Sequence, residues 1–195
     1  MMRRLALVPA VMLLVVLFTP PAHAQKAELT IKLALEDAPR VGRVAPALVL
    51  PYATAAGIGP ADQPFDLGKE VGAVVVIAFY PGDFTPGCTA EWRAFRERAA
   101  SMFGRGVVVV GVSRDSLASH VRFAQALELP FKLLSDPDLA VSRRYAAASG
   151  SSVTRVVVVV GRDGRVAFVD PAFAALDPES YVRLATAIAA AKEMP

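Results

Sequence analysis

Residues 73–103 read AVVVIAFYPGDFTPGCTAEWRAFRERAASMF, and the change of pattern within this stretch sets the architecture. Ala73 to Tyr80 is a continuous apolar, largely β-branched run of the length of a strand buried on both faces. Pro81 and Gly82 break it. Beyond Cys88, the residues Trp92, Phe95, Ala99, Met102 and Phe103 recur at spacings of three and four. Glu91, Arg93, Arg96, Glu97 and Arg98 lie between them. That periodicity predicts an amphipathic helix reaching Phe103 and closed by Gly104. Cys88 is the only cysteine in the chain. It falls in the first turn of this helix, just past the C-terminal end of the strand, where open α/β sheets place their sites. Thr85 is suited to cap the helix, and Pro86 to its first position. The helix dipole and unpaired backbone N–H groups then face the sulfur and favour thiolate over thiol. Gly82 and Gly87 let the backbone pass close to a bound molecule. A lone cysteine is ordinarily a small buried hydrophobe. Its place at a helix start points instead to a nucleophile.

The flanking segments extend the same alternation. Val107 to Ser113 is a second apolar strand, and Ser116 to Leu127 a second helix with Ser116 as its cap. Phe131 to Asp136 is a short extended piece, and Asp136-Pro137 opens a brief helix to about Tyr145. Residues 52–64, rich in Gly, Pro and Ala, read as a loop, and so do residues 146–152. Residues 155–160 and 165–170 flank GRDG, whose Asp163-Gly164 pair predicts a β-hairpin. Asp177 and Pro178 start a closing helix through about Lys192. Ala47 to Pro51 is a further short strand. The result is an α/β chain whose central sheet is covered by helices on both faces.

Arg3 and Arg4 precede an apolar run from Leu5 to Phe18, followed by Ala22-His23-Ala24. This pattern is that of a secretory signal peptide over residues 1–24, cleaved after Ala24. The run is shorter than the ~20 apolar residues that span a bilayer. An export destination, the bacterial periplasm or the medium, follows, with no membrane attachment after cleavage. Residues 25–45 form an extended lead-in and 46–195 the folded domain. Losing Arg3 and Arg4, with no acidic residue among the first 24, takes the formal charge from +3 to +1. A chain so balanced, with no polybasic run, carries no nucleic-acid footprint. His120 is the only histidine beyond the leader, and Cys88 has no partner at metal-ligand spacing, so no metal site is expected. His120 is expected on the exposed or half-exposed side of the second helix. Trp92 is expected in the core.

The run Pro81-x-x-x-Thr85-x-x-Cys88 resembles the active-site signature of the peroxiredoxins, thiol peroxidases with a thioredoxin-like fold. The wider phrase FYPGDFTPGCTAEWRAFRE is similar to the subgroup called PrxQ, or bacterioferritin comigratory protein. Residues 119–136 and 154–166 and the closing helix agree with it, so the resemblance covers roughly residues 40 to 190. It implies that Cys88 is the peroxidatic cysteine, oxidised by a hydroperoxide to a sulfenic acid. Thr85 would orient the peroxide, Pro81 would shield the sulfur and limit water, and Arg155 would stabilise the thiolate and grip the peroxide. An arginine at a strand end is ordinarily a solvated charge, and Arg143, Arg144 and Arg162 are read so. Glu91 matches the subgroup and is read as structural, pairing within its helix, with a local role at the site.

Many relatives in this subgroup carry a second, resolving cysteine five residues after the first. Here Arg93 stands there. The resemblance therefore implies a one-cysteine enzyme without cofactor, a monomer whose sulfenic acid is reduced by a small thiol or by an exported thioredoxin-like or glutaredoxin-like protein. The missing cysteine leaves a second reading open, an exported thioredoxin-fold redox sensor or binding protein that signals through Cys88. A thiol–disulfide oxidoreductase is disfavoured, because Cys88 lacks the partner of a C-x-x-C pair.

Overall fold

The computed structural model describes residues 21, 23–25 and 38–194. Most of the expected leader and most of the lead-in lie outside the described residues. In chain order the strands are β1 (Val49–Leu50), β2 (Tyr52–Thr54), β3 (Gly57–Ile58), β4 (Phe65–Asp66), β5 (Val74–Phe79), β6 (Val107–Ser113), β7 (Lys132–Ser135), β8 (Ala148–Ser149), β9 (Ser152–Val153), β10 (Val156–Val160) and β11 (Val166–Asp170). The helices are α1 (Pro86–Glu97), α2 (Leu117–Ala126), α3 (Ala140–Arg144) and α4 (Pro178–Glu193). A seven-stranded sheet runs β11-β10-β5-β6-β7-β2-β3. Its centre, β5, β6 and β7, is parallel. β10 joins β5 antiparallel and carries β11 beyond it, so the sheet is mixed.

The unbroken apolar runs of β5 and β10 follow from cover on both faces. Side chains alternate across a strand. Val74, Val76 and Ala78 thus enter one core with Trp92, Phe95, Phe123, Leu184 and Ile188 from α1, α2 and α4. Val75, Ile77 and Phe79 enter the other, with Leu48, Phe65, Val141 and Tyr145. Burying each of these larger side chains contributes about 1.5–3 kcal/mol. The Tyr145 ring packs tilted against Phe79, centroids 5.1 Å apart, and its phenol donates to the Pro46 carbonyl at 2.6 Å, which ties the chain before β1 to the second face. On the first face Trp92 lies against β6 at Gly111. A Cβ at Gly111 would overlap the indole and the Leu133 side chain, so glycine is required there.

Two segments read as loops carry strands. Within residues 52–64, β2 pairs antiparallel with β7 (Tyr52 with Leu134, Ala53 with Leu133) and turns back into β3. Three residues are too few for a visible alternation. What fixes β2 is the open edge of β7 and the burial of Ala53. Residues 146–152 contain most of a second small hairpin, β8 with β9, turned at Gly150 (φ +59°).

The helix expected to reach Phe103 ends at Glu97. A wider π-helical turn, Ala99–Phe103, follows, and Gly104 (φ +59°) closes it. This turn carries Phe103 into the core, 5.5 Å from Phe95 and 5.7 Å from Phe131. The predicted hairpin forms, with a register shift after Val159. The caps of α2 and α4 also form. Ser116 Oγ accepts from the Ser119 N–H at 3.3 Å, and Asp177 accepts from the Glu179 N–H at 3.1 Å.

Candidate active site

Thr85 ends the loop after β5 in an extended conformation and stands at the N-cap of α1, with Pro86 next. Its hydroxyl makes no cap bond and instead donates to the Gly82 carbonyl at 3.2 Å. The first helical bond runs from the Thr89 N–H to the Thr85 carbonyl at 2.8 Å. The N–H groups of Gly87 and Cys88 therefore precede the helical ladder and have no partner within it. Cys88 sits in this turn with 0% exposure, part of the core that holds Trp92 and Phe95. Trp92 is wholly buried, as the periodicity predicts.

Arg155 immediately precedes β10, the antiparallel neighbour of β5. Strand pairing therefore brings it to the end of β5, where α1 begins. Its Nη2 donates to Cys88 Sγ at 3.4 Å. Its Nη1 is ion-paired with Glu91. The guanidinium lies against Gly87, where a Cβ would be 3.4 Å from Nη2, an ordinary contact distance. Glu91 is thus paired across the site with a residue of another element, not within its own helix. Its side chain is fully buried, and its Oε1 has no hydrogen-bond partner among the described residues. Pro81 lies two residues beyond the end of β5 and is exposed. Arg143, Arg144 and Arg162 lie at the surface. An open groove of about 680 Å³ reaches this site, lined by Gly87, Arg155, Phe173, Leu176, Asp177 and Pro178.

A buried polar cluster that the sequence reading did not anticipate lies under the loop. His120, expected at least half exposed, is 0% exposed. Its Nδ1 lies 3.0 Å from Asp83 Oδ2 and its Nε2 lies 3.2 Å from the Leu134 carbonyl oxygen. The Tyr80 phenol donates to Asp83 Oδ1 at 2.7 Å. The Asp83 N–H donates to Asp115 Oδ2 at 2.9 Å, and Ser113 Oγ donates to the same oxygen at 2.7 Å. Burial, and then the Asp83 carboxylate, hold the Tyr80 phenol well above its ordinary range, so it remains a donor. Burial also raises the Tyr145 and Tyr181 phenols. The residues around His120 give the sequence a helix, but its partner Asp83 is 37 residues away. Only the sheet order brings the two together.

The match to the AhpC/TSA family covers residues 41–169. A chloroplastic peroxiredoxin Q from Sedum lineare is 40% identical over 110 residues, which are 55% of this chain and 59% of that protein. Across eight curated relatives the match spans from 48% to 65% of their length. A structure of the bacterioferritin comigratory protein of Xanthomonas campestris, studied for its alkyl peroxide reduction activity, superposes with a TM-score of 0.62 at 28% identity. It covers 73% of this chain and 92% of that one. The fold is also that of peroxidoxin BcpB of Mycobacterium tuberculosis (TM-score 0.66, 24% identity, 78% of this chain and 97% of that one). With a thioredoxin-like mixed sheet, and a cysteine and an arginine meeting at the start of α1, the chain belongs to the AhpC/TSA family.

Proposed function

We propose that the protein is a thiol-dependent peroxidase that reduces hydrogen peroxide and organic hydroperoxides through Cys88. The observation that carries this reading is the Arg155 guanidinium donating to Sγ at 3.4 Å in the first turn of α1. A cation and a helix N-terminus on one sulfur meet the negative charge of the attacking thiolate, which is the nucleophile. The thiolate attacks the terminal peroxide oxygen. The S–O bond forms as the O–O bond breaks, Cys88 becomes a sulfenic acid, and the other oxygen leaves with the electron pair and takes up a proton as alcohol or water. Negative charge grows on that oxygen, and Arg155 and the free N–H groups of Gly87 and Cys88 are the donors placed to meet it. The Thr85 hydroxyl proton is committed to Gly82, so its lone pairs accept the peroxide O–H and orient it. To Pro81 falls the role, implied by the family resemblance, of shielding the sulfur and limiting water.

The groove beside Gly87 and Arg155, with Phe173 and Leu176 in its wall, takes the organic part of a larger hydroperoxide. The alkyl peroxide reduction of the Xanthomonas relative supports this substrate class. Since Cys88 is the only cysteine, the sulfenic acid is reduced from outside. One thiol forms a mixed disulfide and water, and a second thiol releases Cys88. A small thiol or an exported thioredoxin-like or glutaredoxin-like protein fills that role. The enzyme works as a cofactor-free monomer outside the cytoplasm, in the periplasm or secreted. Steady-state peroxide consumption with dithiothreitol tests the reading. The wild type turns over and Cys88→Ser does not. Equal consumption by the two would rule out Cys88 chemistry.

The complete burial of Cys88 favours one second reading, a redox sensor. It gains support if Cys88 is oxidised once, fails to turn over with small thiols, and forms a mixed disulfide with a single protein.

A further inference from the structure

The buried cluster under the loop has no part in the chemistry above, yet it grips the segment that sets Cys88. Residues Pro81 to Thr85 connect β5 to α1. Phe84 holds φ +60° in this loop, a left-handed conformation that bulky residues adopt only when their surroundings impose it. The loop conformation therefore needs external anchors. α2 supplies two from one face: Phe123 meets Phe84 edge-on at 5.1 Å, and His120 meets Asp83.

One proton of the His120 ring follows from its partner. Nε2 faces the Leu134 carbonyl, which only accepts, so Nε2 carries a proton. Nδ1 faces the Asp83 carboxylate, whose Oδ1 already accepts from Tyr80. Whichever of the two groups carries the shared proton, the Nδ1–Oδ2 contact at 3.0 Å holds His120 to Asp83. The groups that face this pair are Tyr80 from the end of β5, Asp115 from the segment after β6 and the Leu134 carbonyl of β7. His120 is the only basic side chain in the cluster, against the two carboxylates of Asp83 and Asp115.

We propose that His120 is a positioning residue for Cys88: clamped between Asp83 and the Leu134 carbonyl, it fixes the loop 81–85 and so aligns the first turn of α1 for reaction with the peroxide. The inference rests on the reading of Cys88 as the peroxidatic thiol. Small displacements of a reacting group cost rate steeply, up to about 100-fold for 1 Å. A clamp that only stabilised the fold would leave the rate of a folded variant unchanged.

The experiment compares wild type, His120→Phe, Asp83→Asn and the double variant. It reads the second-order rate of Cys88 oxidation by hydrogen peroxide, thermal unfolding, and the proton–nitrogen spectrum of the His120 ring. Each single variant, still folded, oxidises Cys88 about 10-fold more slowly. The double variant is no slower than the singles, because all three lose the same interaction. The wild-type ring shows a protonated Nε2. Should His120→Phe not fold, Asp83→Asn and the ring spectrum carry the test. Folded single variants at the wild-type rate, a double variant as slow as the product of the two singles, or a wild-type ring whose Nε2 carries no proton would each overturn the proposal. A wild type that peroxide leaves unoxidised removes the reading of Cys88 itself, and the inference with it.

Discussion

Replacing Arg155 with Met separates two functions of one side chain. The guanidinium contacts Cys88 Sγ at 3.4 Å and is ion-paired with Glu91, whose carboxylate is fully buried. Met keeps the stem and removes the charge. A hydrogen bond to a charged group contributes about 1.5–3 kcal/mol. At 1.4 kcal/mol per tenfold, losing it from the thiolate and the transition state lowers the rate of Cys88 oxidation by about 10- to 150-fold. The second loss is one of stability, because the Glu91 carboxylate stays buried with neither oxygen paired. Breaking a buried pair by removing one partner costs about 3–5 kcal/mol. Arg155 retains 18% exposure, so the lower end applies. The double variant Arg155→Met/Glu91→Leu tells the two apart. It removes the stranded charge and recovers most of the stability, while the oxidation rate remains as low as in the single variant. Stopped-flow oxidation kinetics and thermal unfolding of the three proteins measure both quantities. A single variant that reacts within twofold of wild type, or a double variant that recovers rate together with stability, would refute the role given to Arg155.

Thr85→Val removes the lone pairs that orient the peroxide but only one weak bond, to Gly82, from the fold. Its oxidation rate falls by about 10- to 100-fold while stability shifts by less than about 1 kcal/mol, as kinetics and denaturant titration would show. Leu176 is 79% exposed in the wall of the groove. Leu176→Ser therefore slows reduction of a bulky organic hydroperoxide, leaves hydrogen peroxide within about twofold, and changes stability by less than about 0.5 kcal/mol. Gly111→Ala forces a Cβ into Trp92 and Leu133. It destabilises the protein by about 1–3 kcal/mol, readable as a lowered midpoint of thermal or denaturant unfolding.

Where local pattern and tertiary packing agree, the sequence was legible. The strand β5, the start of α1, the hairpin at Gly164 and the start of α4 at Asp177-Pro178 each carry their own signal in period, turn residues or caps. The candidate residues Cys88, Thr85 and Arg155 were marked in another way: the motif and its place beyond a strand end pointed to the first two, and the resemblance to the third. The structure brings Arg155 onto the sulfur, with Thr85 three residues before it at the helix cap. Features that depend on distant partners were not legible. β2 exists because β7 offers it an edge, not because Tyr52 to Thr54 prefer a strand. Glu91 turns to an arginine 64 residues away, beyond the reach of helix spacing. His120 is buried because Asp83, Tyr80 and the Leu134 carbonyl surround it from three other segments. A polar residue on a helix reads as exposed until those partners are known.

The central claim is that Cys88 is a peroxide-reactive nucleophile. Intact-mass analysis of the reduced protein, taken within seconds of adding one equivalent of hydrogen peroxide, tests it most directly, with Cys88→Ser treated alongside. A gain of one oxygen that a sulfenic-acid reagent traps, and that is absent from the variant, is the predicted result. An unchanged wild-type mass, or the same gain in Cys88→Ser, would contradict the account.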